Sequence, residues 1–192
     1  GMVRAAKIIV CHPPAQPLKG PTTQMTHLLR LTLLGTFAFF GVSCASRLQT
    51  VASTSVGPQR ICHVRTTAYT HTEEGGPHNA IGTPLSGKEI KSAAADWSRW
   101  PLGTKFRIVD TDEIFQIDDY GGALVGTGTI DLYKSNRLAM RKWGVRSVDI
   151  DVIEWGSPAK SLKVLAPRKH SRTVHPMVLA LRKSQENSTH SF

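Results

Sequence analysis

The sequence predicts a small all-β barrel carrying one or two short helices. Three observations predict it. Short stretches of alternating or β-branched residues are separated by polar, glycine-bearing turns. Only one helix between them is well punctuated. The segment that holds them, 61–156, is long enough for one small core.

The elements follow in order. Ile61 to Tyr69 is the first strand candidate. Thr104 to Asp110 alternates through Lys105, Phe106, Arg107 and Ile108. Pro101-Leu102-Gly103-Thr104 before it reads as a barrel turn, and Thr111-Asp112-Glu113 turns the chain into Ile114 to Asp119. Thr129 to Tyr133 is a further short strand. Ser135 as N-cap, Asn136 to Trp143 as body and Gly144 as stop make a helix. Ser147 to Ile153 alternates, with Val148, Ile150 and Val152 inward and Ser147, Asp149 and Asp151 outward. Residues 70–92 contain Glu73, Glu74, Gly75, Gly76, His78, Gly82 and Gly87 and read as a loop able to act as a mobile lid.

A formal net charge of +10 suggests a nucleic-acid binder, but its distribution argues otherwise. Residues 1–65 hold seven Lys/Arg and no acid; residues 157–192 hold seven and one acid. The middle, 66–156, carries ten basic and 13 acidic residues. The basic residues at the ends are not interleaved with aromatics, so no nucleic-acid partner is expected. Residues 157–192 show no clear period and are expected to form a basic, flexible tail.

Residues 1–24 have no periodicity and are left as an unassigned extension upstream of Met25. In 25–45, a short positive stretch precedes 13 apolar-biased residues, Leu31 to Ser43. That is short for a membrane span and suits a signal peptide. The small residues before Cys44 resemble a bacterial lipobox, in which the cysteine is lipidated; Gly41 stands where leucine is usual. Ordinary cleavage at Ser43-Cys44-Ala45 and an uncleaved anchor stay open. Cys62 is then a lone buried thiol, or pairs with Cys44 in an oxidising compartment. Residues 46–60, with Ser, Thr, Gln, Gly and Pro, read as a linker.

Three aspartates stand in a suggestive order. Asp96 follows Ala93-Ala94-Ala95; Asp119 precedes Tyr120-Gly121-Gly122 and, further on, Gly126; Asp131 sits in Thr129-Ile130-Asp131-Leu132-Tyr133. Alternation puts Asp119 on the face of Phe115 and Ile117, towards the interior or a cleft, and makes Asp118 an ordinary surface acid. It sets Asp131 against Ile130 and Leu132 on a polar strip with Thr129 and Tyr133. A carboxyl that protonates a leaving oxygen and then takes a proton back needs raised basicity, from burial or a like-charged neighbour.

Across about 66–155 the order resembles the 3D, or three-aspartate, domain of membrane-bound lytic transglycosylase A and small stationary-phase cell-wall proteins. The resemblance implies a six-stranded double-psi β-barrel that cleaves peptidoglycan glycan strands without water, leaving 1,6-anhydro-muramic ends. It implies Asp131 as general acid/base with Asp119 and Asp96 in support. Tyr120, Gly121, Gly122, Gly126 and Tyr133 become candidate substrate contacts. The chain departs from the family at Tyr120, where threonine is usual, and at Val125, where lysine is common. The second, cleft-forming domain of the transglycosylase has no room here. A non-catalytic peptidoglycan-binding lipoprotein resembling rare lipoprotein A is the alternative. No cofactor is expected. His71, Glu73 and His78 match no metal-ligand spacing, so no metal is expected either. The expected setting is an exported monomer, lipid-anchored to the outer membrane and facing the periplasm.

Overall fold

The computed structural model describes residues 58–73 and 75–189. The extension 1–24, the signal segment with Cys44, and nearly all of the linker lie outside the described residues.

Six strands close into a barrel: β1 (Gln59–Tyr69), β2 (Ile90–Ala94), β3 (Lys105–Ile108), β4 (Ile114–Asp119), β5 (Ile130–Tyr133) and β6 (Arg146–Glu154), in the order β1-β5-β2-β4-β3-β6. β1 with β5 and β2 with β4 are parallel; the other neighbours are antiparallel. The all-β barrel expected from the sequence is therefore present. Alternation fills it: Phe106, Ile108, Phe115, Ile117, Ile130, Leu132 and Ile150 are fully buried. β2 is the strand that sequence patterning passes over. Its Ile-Lys-Ser-Ala-Ala lacks a β-branched run, and its small residues suit a strand covered on both sides.

The helix α1 (Arg137–Trp143) is capped by Asn136, whose side chain accepts from Ala139 N, one residue later than expected. It ends at Gly144, at φ +62°. The barrel turn at 101–104 is held by Gly156. A Cβ there would lie 2.3 Å from the Pro101 carbonyl oxygen.

The C-terminal segment corrects the expectation of a flexible tail. Residues Pro158–Leu165 form α2, capped by Ser157, and Val174–Thr189 form α3. Val174, Met177, Val178 and Leu181 are buried at i, i+3, i+4 and i+7, one apolar stripe of a helix. Leu165 of α2 joins the same core, and Ser161 accepts from Leu102 N at 2.8 Å. The stripe is only four residues wide in a basic segment, so composition hides it.

Cys62 is half-buried and disulfide-bonded, which corrects the expected lone thiol; its partner lies outside the described residues. Asp151 lies on the outer face of β6, as expected, but is buried there. Arg60 (2.8 Å) and Arg107 (3.3 Å) cover it from β1 and β3.

Candidate functional site

An open cleft of about 470 Å³ lies on the outer wall of the barrel, where β1, β5, β2 and β4 run side by side. Its geometry centres on Ala94. Ala94 pairs with Asp131 on one side and with Asp119 on the other. Directly paired residues share a face, so both carboxylates point to the cleft, two strand spacings or roughly 10 Å apart at Cα.

Asp119 reaches that face through a β-bulge. Ala93 pairs with Ile117 but Ala94 with Asp119, leaving Asp118 as the extra residue. The bulge shifts the side-chain parity, so Asp119 does not follow Phe115 and Ile117 into the core. The same bulge overturns the reading of Asp118 as a surface acid. Asp118 is 8% exposed, and its Oδ2 accepts from Ser92 Oγ (2.7 Å) and Asn79 Nδ2 (2.9 Å). Nothing in the residue types Ile-Asp-Asp-Tyr announces a bulge.

Burial sets the acidity of all three carboxyls. Each is pushed above the ordinary aspartate range chiefly by loss of water. Asp131 accepts one strong hydrogen bond, from Thr67 Oγ1 at 2.6 Å, which partly offsets the burial; repulsion from Glu73 adds to it. Asp119 accepts from Tyr120 N at 2.9 Å and feels the charge of Asp118. No lysine or arginine forms an ion pair with any of the three among the described residues.

Tyr69 and Thr70 also line the cleft, and sequence reading missed both. The Tyr69 hydroxyl is close enough to restrain the rise at Asp119, yet among the described residues no hydrogen bond of good geometry reaches it. Burial and the surrounding aspartates push the phenol far above its ordinary range, so it stays protonated. Among the described residues the buried Thr70 Oγ1 lacks a partner as well, and so does Asp118 Oδ1, an acceptor that does not line the cleft. Buried polar atoms are nearly always satisfied, so unpartnered donors on a cleft wall are places for a polar ligand.

The loop of residues 70–89 covers one rim. It is fastened rather than free. Asn79 Oδ1 accepts from Ile81 N and Thr83 N, while its Nδ2 donates to Thr83 Oγ1 and to Asp118. The C-terminal segment ties this loop to Tyr120: Arg168 Nη1 donates to the Ala80 carbonyl and to the Tyr120 hydroxyl.

The structure brings Asp131, Asp119, Tyr120, Gly121 and Gly122 to the cleft. Asp96, Gly126 and Tyr133 are not among its lining residues. Asp96 is 2% exposed and its carboxylate is spent internally: Oδ1 accepts from Ser98 N and Oγ, and Oδ2 from Gly126 N at 2.8 Å. It holds the turn that returns the chain to β5. Gly126 sits at φ +79°, which explains the glycine there without a ligand. Tyr133 packs edge-on against Tyr69 (5.6 Å between ring centres) and meets His71 Nδ1 through its hydroxyl at 3.0 Å. Tyr120 stands edge-on to Trp97. Among the described residues no group of three or more His, Cys, Asp and Glu is arranged to hold a metal ion.

No family model matches the chain, and no curated protein matches it. Among solved structures it is similar to the apo form of an expansin from Clavibacter michiganensis, at 15% identity and a TM-score of 0.35. It is also similar to a mutant expansin from the same source in complex with cellohexaose, at 14% identity and a TM-score of 0.35. Each match covers 48% of this chain and 50% of the expansin, so the chain spans about half the length of these structures.

Proposed function

We propose that this chain is a lytic transglycosylase that cleaves the MurNAc–GlcNAc bond of peptidoglycan, with Asp131 as its single acid/base. One observation carries the reading: a half-buried carboxyl on a cleft wall, without a cation, beside a second carboxyl and hydroxyls that have no partner among the described residues. The resemblance to the three-aspartate domain supports the same assignment.

Such a carboxyl holds its proton at a pH where ordinary aspartates have lost theirs. Protonated Asp131 would donate to the glycosidic oxygen as the bond to C1 breaks. The carboxylate would then accept the proton of the muramic 6-hydroxyl as that oxygen closes on C1. The proton returns to Asp131, no water is consumed, and the product carries a 1,6-anhydro ring. Asp119 would stabilise positive charge developing on the sugar. Tyr69 and Thr70 would meet sugar polar groups. Asp96 acts at a distance, by fixing the Gly126 turn. The setting we propose is the periplasmic face of the outer membrane, with the chain acting as a monomer; the disulfide of Cys62 competes with a lipid on Cys44, since the chain has only three cysteines.

Digestion of purified glycan strands tests this. Mass spectrometry is expected to find anhydro-muramic ends with the wild type and none with Asp131→Asn. Wild-type protein that pulls down sacculi but releases no such ends would instead identify a glycan-binding protein. The commitment of Asp96 to its own turn is the observation that favours that second reading.

A further inference from the structure

A second pocket, of about 520 Å³, shares no lining residue with the cleft. It gathers four cations, Lys91, Lys134, Lys142 and Arg146, around one acid, Glu113. Lys134 lies just past the end of β5 with its side chain only 10% exposed. Its Nζ stands 4.4 Å from the centre of the Trp143 ring and 3.0 Å from Glu113 Oε2. Lys91 takes the other oxygen of Glu113. The single acid is therefore shared by two lysines.

Lys142 and Arg146 have no acidic partner among the described residues. Arg146 is already engaged. Its Nε and Nη2 donate to the Trp143 carbonyl, and Nη2 also to that of Lys142, capping the end of α1. The pocket thus carries three more positive than negative side chains, one of them almost dry. Burial lowers the basicity of Lys134; Glu113 opposes this, and Lys91 and Arg146 add repulsion.

We propose that this pocket is a binding site for a phosphate group. A phosphate brings roughly −1.5 to −2 charges to one point at neutral pH, near what the excess demands. Lysines bind phosphate as point charges, whereas a carboxylate is best held by the two-pronged face of an arginine. The arginine here spends that face on helix α1. Ser135 and Thr111 also line the pocket; the Ser135 hydroxyl can donate to a phosphate oxygen, while that of Thr111 already donates to Glu113 Oε2. The volume admits a phosphoester as readily as free phosphate. Both sources share this chemistry.

Isothermal titration of the full chain with inorganic phosphate, at ionic strength fixed by chloride, is the test. Saturable one-to-one binding is expected, weakened at least tenfold by Lys142→Glu and by Lys91→Gln and unchanged by Asp131→Asn. Lys142 is exposed on α1, so its variant keeps the fold, which circular dichroism checks. A glycerol-phosphate oligomer binding more tightly than phosphate would assign the site to a polymer; equal affinity would assign it to the free ion. Absence of saturable heat with both probes, or equal affinity in the wild type and Lys142→Glu, overturns the proposal.

Discussion

Asp151, buried, and Asp131, half-buried, both lie on the outside of the same barrel, and their surroundings drive them in opposite directions. Asp151 sits on the β1–β6–β3 side, bonded to Arg60 and Arg107, and is held below the ordinary carboxylate range, chiefly by Arg60. Asp131 sits on the β1–β5–β2 side, bonded to one threonine, and is pushed above that range by burial. Burial alone does not mark a functional acid. Loss of water without a cation, on the wall of a cleft, is the better mark: Asp96 and Asp118 also lack a cation, but neither lines the cleft, whereas Asp131 does.

The largest expected effect comes from Asp131→Asn. Loss of a general acid/base costs about 10²–10⁴-fold in rate, and release of anhydro ends measures it. The same substitution should raise the melting temperature at neutral pH. A carboxyl whose folded pKa is raised weakens the fold as pH rises from about 3.9 through the folded value, and the amide escapes that cost. Lost activity with an unchanged or lower melting temperature would contradict the account of Asp131 as a strained charge.

Asp151→Asn should do the reverse. Its stabilisation is full above the ordinary aspartate pKa and fades as pH falls through the lower folded value. Removing it leaves two arginines without their shared partner. Breaking a fully buried pair costs about 3–5 kcal/mol, but Arg60 and Arg107 are 34% and 42% exposed, so water screens both contacts and only a fraction of that loss is expected. Urea unfolding at pH 7 and again at pH 3 checks it: the difference between wild type and variant should shrink in acid. Glycan cleavage should be unaffected.

Tyr69→Phe removes only the unpartnered hydroxyl from the cleft. If that hydroxyl meets substrate, turnover falls about tenfold while stability holds or rises, since a buried donor without a partner costs about 1–3 kcal/mol. Equal turnover would leave Tyr69 as a spacer between Asp119 and Tyr133.

The same contrast explains what was legible in the chain. Val148, Ile150 and Val152 announced β6, and Ile130 and Leu132 fixed which way Asp131 points, because period two survives in a regular strand. Asp118 is not the surface acid that alternation predicts, and Asp119 reaches the cleft without sharing the face of Phe115 and Ile117, because a one-residue bulge reverses parity and leaves no mark in residue type. Asp96 looked equivalent to the other two; only its bonds to Ser98 and Gly126 show it to be internal bracing. Tyr69 was the last residue of a predicted strand, and nothing in sequence tells a satisfied hydroxyl from an orphaned one. The stripe of Val174, Met177, Val178 and Leu181 was readable and was masked by the basic residues around it.

The smallest effect is the sharpest test of the comparison, because its sign can be set at will. Thr67 donates to ionised Asp131 and favours it; Glu73 repels that charge and disfavours it. Thr67→Val should therefore raise the Asp131 pKa further and move the alkaline limb of the pH–rate profile to higher pH. Glu73→Gln should lower it and move the limb to lower pH, and the double variant should fall between them. Neither side chain carries the proton, so each change is only severalfold at fixed pH, and it is the opposition of signs that matters. A limb that moves the same way in both variants would mean that some group other than Asp131 gives up the proton, and the distinction between an aspartate held by cations and one without them would lose its functional meaning here.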